Sequence, residues 1–375
     1  MSSNSFPTKE QCLLLHAALG SGAPAVGAWG EWQASVDFDG YLDAESFALL
    51  PLLYVNLRRH GVMHPFMHKL KGIYRRRWCE NQVQFQDIEE VVGRFHLSRI
   101  PTMLVNGAAL SLVHYRDSAL RTASDTQVLV PVGRAEGALA LLREGGWTPL
   151  SRISAAQFRF RHPVKIRNGF DRRLEIRWDP SFENRKRESG SVFWRDAESS
   201  TLGGLPVHVL NETATLLEIL LRGTSSHLER SIGWIADAIT VLQSRRSIID
   251  WAWLISQARK RRMVIRLMTA ITVLHEQLNA PIPETVLTAL RTIPISFLER
   301  AELNDTKVSK RRRERILLSM SLYLLEYLRS VRGGATLTAL GDLPDYLQYK
   351  LNARNRKQLV VSLVAETFKR VKQLV

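Results

Sequence analysis

Residues 100–130 constrain this chain more than any other stretch, because segments of different hydrophobic period follow one another there without a spacer. Thr102 to Val105 is a short apolar run with β-branched members, Gly107 breaks it, Ala108 to Tyr115 takes helical spacing, and Val128 to Val132 is again β-branched. The order predicts strand, tight turn, helix, second strand. A glycine opening a helix lets backbone N–H groups approach an anion closely, since no Cβ intervenes. Asp125 is then expected at the edge of the second strand, facing the same site.

That order resembles the polymerase-β nucleotidyltransferase superfamily, in which a small-residue turn precedes a strand carrying carboxylates one residue apart. In detail the segment is similar to an uncharacterised nucleotidyltransferase family often found beside peptide-tailoring and polysaccharide genes. Gly107, Ala108, Ala109, Leu110, Asp117, Arg121, Asp125, Leu129 and Val130 stand where that family's motif residues would. Asn106 replaces a lysine and Gln127 replaces the second aspartate, so the Asp-x-Asp motif is degraded. A glutamine carbonyl brings no charge, whereas hard dications are held mainly by carboxylate, phosphate and water oxygens.

The resemblance also implies a third carboxylate on a neighbouring strand. Residues 172–178 alternate, with Leu174, Ile176 and Trp178 turned inward and Glu175 and Arg177 opposite, and with 157–166 they predict a hairpin. Glu175 stands where the family has aspartate, and Arg177 where it has histidine. Asp125 and Glu175 are thus the candidate metal ligands. An equally weighted reading makes Glu175 a surface cross-strand partner of Arg173 or Arg177. His227 and Asp237 match a histidine and an aspartate of the family's helical region and are candidate substrate-side residues. Such residues are more often a satisfied histidine and a capping or salt-bridging aspartate.

Around this centre the chain divides by pattern into an N-terminal helical region (1–98), an α/β core (99–205) and a C-terminal helical domain (206–375). The expected fold class is α+β, a small mixed sheet flanked by helices. Helical spacing runs from Thr8 to Leu19 and from Asp43 to His60, with Pro51 expected in a first turn. Residues 64–98 read as one long helix or two, carrying Lys69, Lys71, Arg75, Arg76 and Arg77. Gly133 to Gly145 is helical, and 183–205 reads as a loop. From 211 onward the pattern is helical, with Asn211 and Thr213 at a cap and a stop at Pro281 and Pro283. Further helices follow, including 315–331 and 356–374.

The chain has 375 residues and 45% apolar content, enough for a large core. Two cysteines exclude a disulfide framework and point to a reducing compartment. No signal peptide and no apolar span of membrane length are recognisable, so a cytoplasmic location is expected. The net charge is +16, and residues 301–375 alone hold 15 Lys and Arg against 7 Asp and Glu. This favours an anionic partner, although basic helices are often only solvated faces.

Three functions are open on this reading. The resemblance implies Mg²⁺- or Mn²⁺-dependent transfer of a nucleotidyl group from NTP to a peptide, sugar or RNA acceptor. Asp125 and Glu175 would bind metal, Gly107 and Ala108 admit the phosphates, Arg121 neutralise charge, and Gln127 orient a metal-bound water. Alternatively, the fold keeps its cleft without the chemistry and serves as a nucleotide-, peptide- or protein-binding scaffold, a pseudoenzyme. A third reading makes it an RNA-binding protein on a basic platform.

Overall fold

A computed structural model describes residues 7–37, 40–123, 126–150, 163–178, 193–225, 231–244, 248–296, 299–300, 343–348 and 356–359, with single positions 324, 327 and 353. Four helices come first: α1 (Lys9–Leu19), α2 (Gly22–Ser35), α3 (Ala44–Arg59) and α4 (Phe66–Leu97). Thr8 and Gln11 close a reciprocal capping box on α1, and Asp43 caps α3 by accepting from the Glu45 and Ser46 amides. Pro51 lies inside α3 rather than in its first turn. The residue whose carbonyl it leaves without a helical donor, Phe47, is 38% exposed. The long basic pattern resolves as α4 alone.

The sheet contains β1 (Met103–Val105), β2 (Gln127–Leu129), β3 (Thr148–Pro149), β4 (Val164–Arg167), β5 (Arg173–Arg177), β6 (Glu198–Leu202) and β7 (Leu205–Val209), in the order β3-β4-β5-β2-β1-β7-β6. It is mixed: β2 runs parallel to β5 and β1 to β7, and the other pairs are antiparallel. Between β1 and β2 lies α5 (Gly107–Leu110), continued by a π-turn over Ser111–Tyr115, and α6 (Ala135–Glu144) follows β2. The fold class is therefore α+β, as expected.

The expected loop over 183–205 needs correction in its described part, because β6 and β7 form a hairpin there. Gly203 and Gly204, at φ 56° and 80°, make its turn. Positive φ at both central residues is what a tight right-twisted hairpin requires, and glycine supplies it without a Cβ clash.

Side chains alternate across the strands, so each sheet face has its own core. Leu104, Val128, Val130, Leu174 and Ile176 pack under Ile88, Val92, Phe95 of α4 and Leu139 of α6. Met103, Val105 and Leu129 face the other way, towards Phe193, Leu210 and Ala214. After the sheet come α7 (Glu212–Gly223), α8 (Gly233–Leu242), α9 (Trp251–Lys260), α10 (Val264–Leu278) and α11 (Glu284–Thr292). Asn211 caps α7 by accepting from the Ala214 amide at 2.8 Å. These helices share one apolar core with the N-terminal ones, in which Leu14, Trp32 and Leu53 join Leu217, Ile235, Leu267 and Leu274. The expected helices over 315–331 and 356–374 lie almost wholly outside the described residues.

Candidate functional site

The site is built at the end of β1 and across the β2–β5 pair. Alternation puts Gln127 on the sheet face away from α4, and parallel register places it beside Glu175, with Leu129 beside Arg177. Gln127 is 4% exposed and Arg177 3% exposed, so their polar atoms must find protein partners. They find each other. Gln127 Oε1 accepts from Arg177 Nη1 at 2.7 Å and from Asn106 Nδ2 at 2.8 Å, while Gln127 Nε2 donates to Glu175 Oε1 at 2.7 Å. Arg177 Nε stands 3.9 Å from the same Glu175 oxygen.

Gly107 opens α5, but the positive φ falls one residue earlier, on Asn106, at φ 57° and ψ −137°. Non-glycine residues rarely hold such a conformation, and Asn is among those that tolerate positive φ best. Its side-chain bond to Gln127 fixes the bend to β2. The Ala108 amide, expected to face phosphate, donates instead to Thr126 Oγ1 at 2.8 Å, and that hydroxyl donates to the Ala123 carbonyl at 2.6 Å. Beneath Asn106 a crevice lined by Val105, Leu110, His114, Glu218 and Ile219 holds ≈ 20 Å³ of free space. That is about the room of a single ordered water, so the crevice is no nucleotide seat.

Arg121 and Asp237 are brought together. Arg121 Nε donates to Asp237 Oδ1 at 2.8 Å, and Tyr115 Oη donates to the same oxygen at 2.8 Å. Burial, and then the Asp237 carboxylate, push the Tyr115 hydroxyl well above its usual range, so it remains a donor. These contacts join the turn after α5 to α8. Asp125 and His227 lie outside the described residues.

Residues that the sequence reading passed over hold the segment leading to β2. Asn81, 2% exposed on α4, donates to the carbonyls of Ser118 and of Arg121 (2.8 Å) and accepts from the Ala123 amide at 2.9 Å. Tyr74 Oη donates to Asp117 at 2.9 Å, and Gln82 to Ser118 Oγ at 2.9 Å. A polar Asn at a buried helical position, in register with Leu70 and Tyr74, was the available signal.

The described donors do not fit a divalent cation. Glu175 is a carboxylate with a guanidinium beside it, and the neutral oxygen of the neighbouring Gln127 already accepts two N–H donors. Among the described residues no group of three His, Cys, Asp or Glu is placed to hold a metal ion.

Residues 43–279, more than half of the chain, match the family described as uncharacterised nucleotidyltransferase. The chain belongs to this family. No curated protein matches it. The solved structures similar to it include two of low identity. One is the solution structure of the antibiotic-resistance factor ANT(2'')-Ia, 13% identical over 53% of this chain and 99% of that one, with a TM-score of 0.35. The other is the crystal structure of an antigenic nucleotidyltransferase-like protein from Paracoccidioides brasiliensis, 15% identical over 55% of this chain and 96% of that one, also with a TM-score of 0.35. Membership in the nucleotidyltransferase family rests on the sequence match. Among the described residues no helix is long and apolar enough to cross a membrane.

Proposed function

We propose that this chain is a degenerate nucleotidyltransferase, a binding scaffold on the family's fold rather than a metal-dependent transferase. The observation that carries the reading is the double acceptance at Gln127 Oε1, by Asn106 and Arg177, with Glu175 held on the other side of the same amide. Nucleotidyl transfer depends on metal-assisted neutralisation of the triphosphate. A neutral amide and a resident guanidinium, where the family motif has carboxylate and histidine, favour binding without turnover. The nucleoside triphosphate that the family's name implies is the ligand to test first, ahead of a peptide or a protein, and the crevice under Asn106 is too small to hold it.

An NTP mixture with Mg²⁺ or Mn²⁺, assayed for pyrophosphate and followed in parallel by thermal shift with and without metal, tests this. Expected is a rise in melting temperature that needs no metal, and no pyrophosphate. Pyrophosphate release would restore the transferase reading. Absence of both signals would remove nucleotide as the ligand and leave a peptide or protein partner.

A further inference from the structure

Helix α4 holds the 117–123 segment with one face and leaves another uncovered. His68, Lys71, Arg75 and Trp78 recur at intervals of three and four residues, so they form one stripe along the helix. All are exposed, Trp78 by 46%. Lys71 and Arg75 make no ion pair among the described residues, unlike Arg76 and Arg77, which flank Glu80 at 2.8 and 3.5 Å. A Cβ added at Gly72 would meet nothing within 4 Å among the described residues, so the backbone beside Lys71 is open as well. One turn beyond Trp78, Gln82 binds Ser118, in the segment that leads to β2.

A solvated helical face explains exposed lysine and arginine, but it gives no reason for a large indole in line with them. Cations spaced along a track, ending on an exposed aromatic face, are the combination that holds an unpaired polynucleotide: the cations take phosphates and the ring stacks on a base. From Lys71 to Trp78 the stripe covers about 10 Å at the helical rise, long enough for a short run of nucleotides. The chain's +16 charge supplies long-range attraction to the same partner. We infer that the His68–Lys71–Arg75–Trp78 face of α4 binds single-stranded nucleic acid. This surface is independent of whether the candidate site turns over.

Fluorescence anisotropy of the full chain, with labelled single-stranded RNA and DNA of about twelve nucleotides, tests the inference across a range of salt. Saturable binding is expected. The combined Lys71→Glu and Arg75→Glu variant is expected to weaken it at least tenfold and, through the loss of two phosphate contacts, to reduce the log–log salt slope by about 1.4. Trp78→Ala is expected to weaken binding roughly tenfold with the slope unchanged, since stacking releases no counterions. Preference between the RNA and DNA arms identifies the natural strand through the 2′-hydroxyl. The side chains changed are exposed, and an unchanged melting temperature certifies each variant as folded. Undiminished binding by both variants would place the polynucleotide elsewhere on this basic chain and overturn the inference. So would failure to bind either strand, or equal competition by oligoglutamate with Trp78→Ala without effect.

Discussion

The guanidinium of Arg121 and the carboxylate of Asp237 meet at 2.8 Å across 116 residues of sequence, with Tyr115 donating to the same carboxylate oxygen. Their side chains are 17% and 6% exposed, so neither charge is well hydrated. Removing one partner of such a pair strands the other. Asp237→Asn is expected to lower unfolding free energy by about 3 kcal/mol, and Arg121→Met combined with it by less than the sum of the single changes. Urea denaturation of the cycle measures this coupling. Additive effects would show that the pair contributes no mutual stabilisation.

Asn81 holds the 117–123 segment through the Ser118 and Arg121 carbonyls and the Ala123 amide. Asn81→Leu keeps similar volume and removes those partners. A loss of about 2–4 kcal/mol is expected, with amide exchange in 117–123 accelerated beyond that in β4 and β5. Uniform acceleration across the sheet would argue against a local anchor.

His114 is half-buried beside the crevice under Asn106. Burial first, and then Arg116, lower its pKa from 6.5 to about 4. The unfolded chain therefore takes up this proton before the folded one does. Its contribution to stability is intact above pH 6.5 and is lost progressively as pH falls towards 4. Melting temperature should drop between those pH values more in the wild type than in His114→Gln. Parallel pH curves would contradict the assignment.

Gly223 ends α7 directly against an indole: a Cβ there would come within 2.2 Å of the Trp234 ring. Trp234 is 9% exposed and packed in the main core, so it has little room to yield. Gly223→Ala is expected to cost about 1–3 kcal/mol through overpacking, despite alanine's better helix propensity. A stabilised variant in thermal melts would show that α7 and α8 can separate there.

The part of this fold carried by local period was legible in the sequence. Met103–Val105 and the glycine that opens α5 follow directly from apolar spacing, as does the alternation of Leu174, Ile176 and Trp178, whereas the second strand, expected over Val128–Val132, runs from Gln127 to Leu129 and gives way to a 3-10 turn at Val132. The β6 strand was not legible, because Glu198 to Thr201 form a polar edge with no buried member before Leu202. Its signal lay in the Gly203-Gly204 turn. Pro51 was misplaced because the Asp43 cap starts α3 eight residues before it. At the site, residue identities could be read at Asn106, Gln127, Glu175 and Arg177, but not their network. That depends on the parallel register of β2 and β5 and on a positive φ at Asn106, both set by tertiary packing. The Arg121–Asp237 contact was invisible for the same reason.

Titration with Mn²⁺, followed by electron paramagnetic resonance, tests most directly whether the Gln127–Arg177 contact stands in place of a cation seat. The wild type is expected to show no saturable Mn²⁺ binding that depends on Glu175, whereas Gln127→Asp with Arg177→His is expected to acquire such a site and lose it again on Glu175→Gln. Saturable binding in the wild type that disappears with Glu175→Gln would contradict the account.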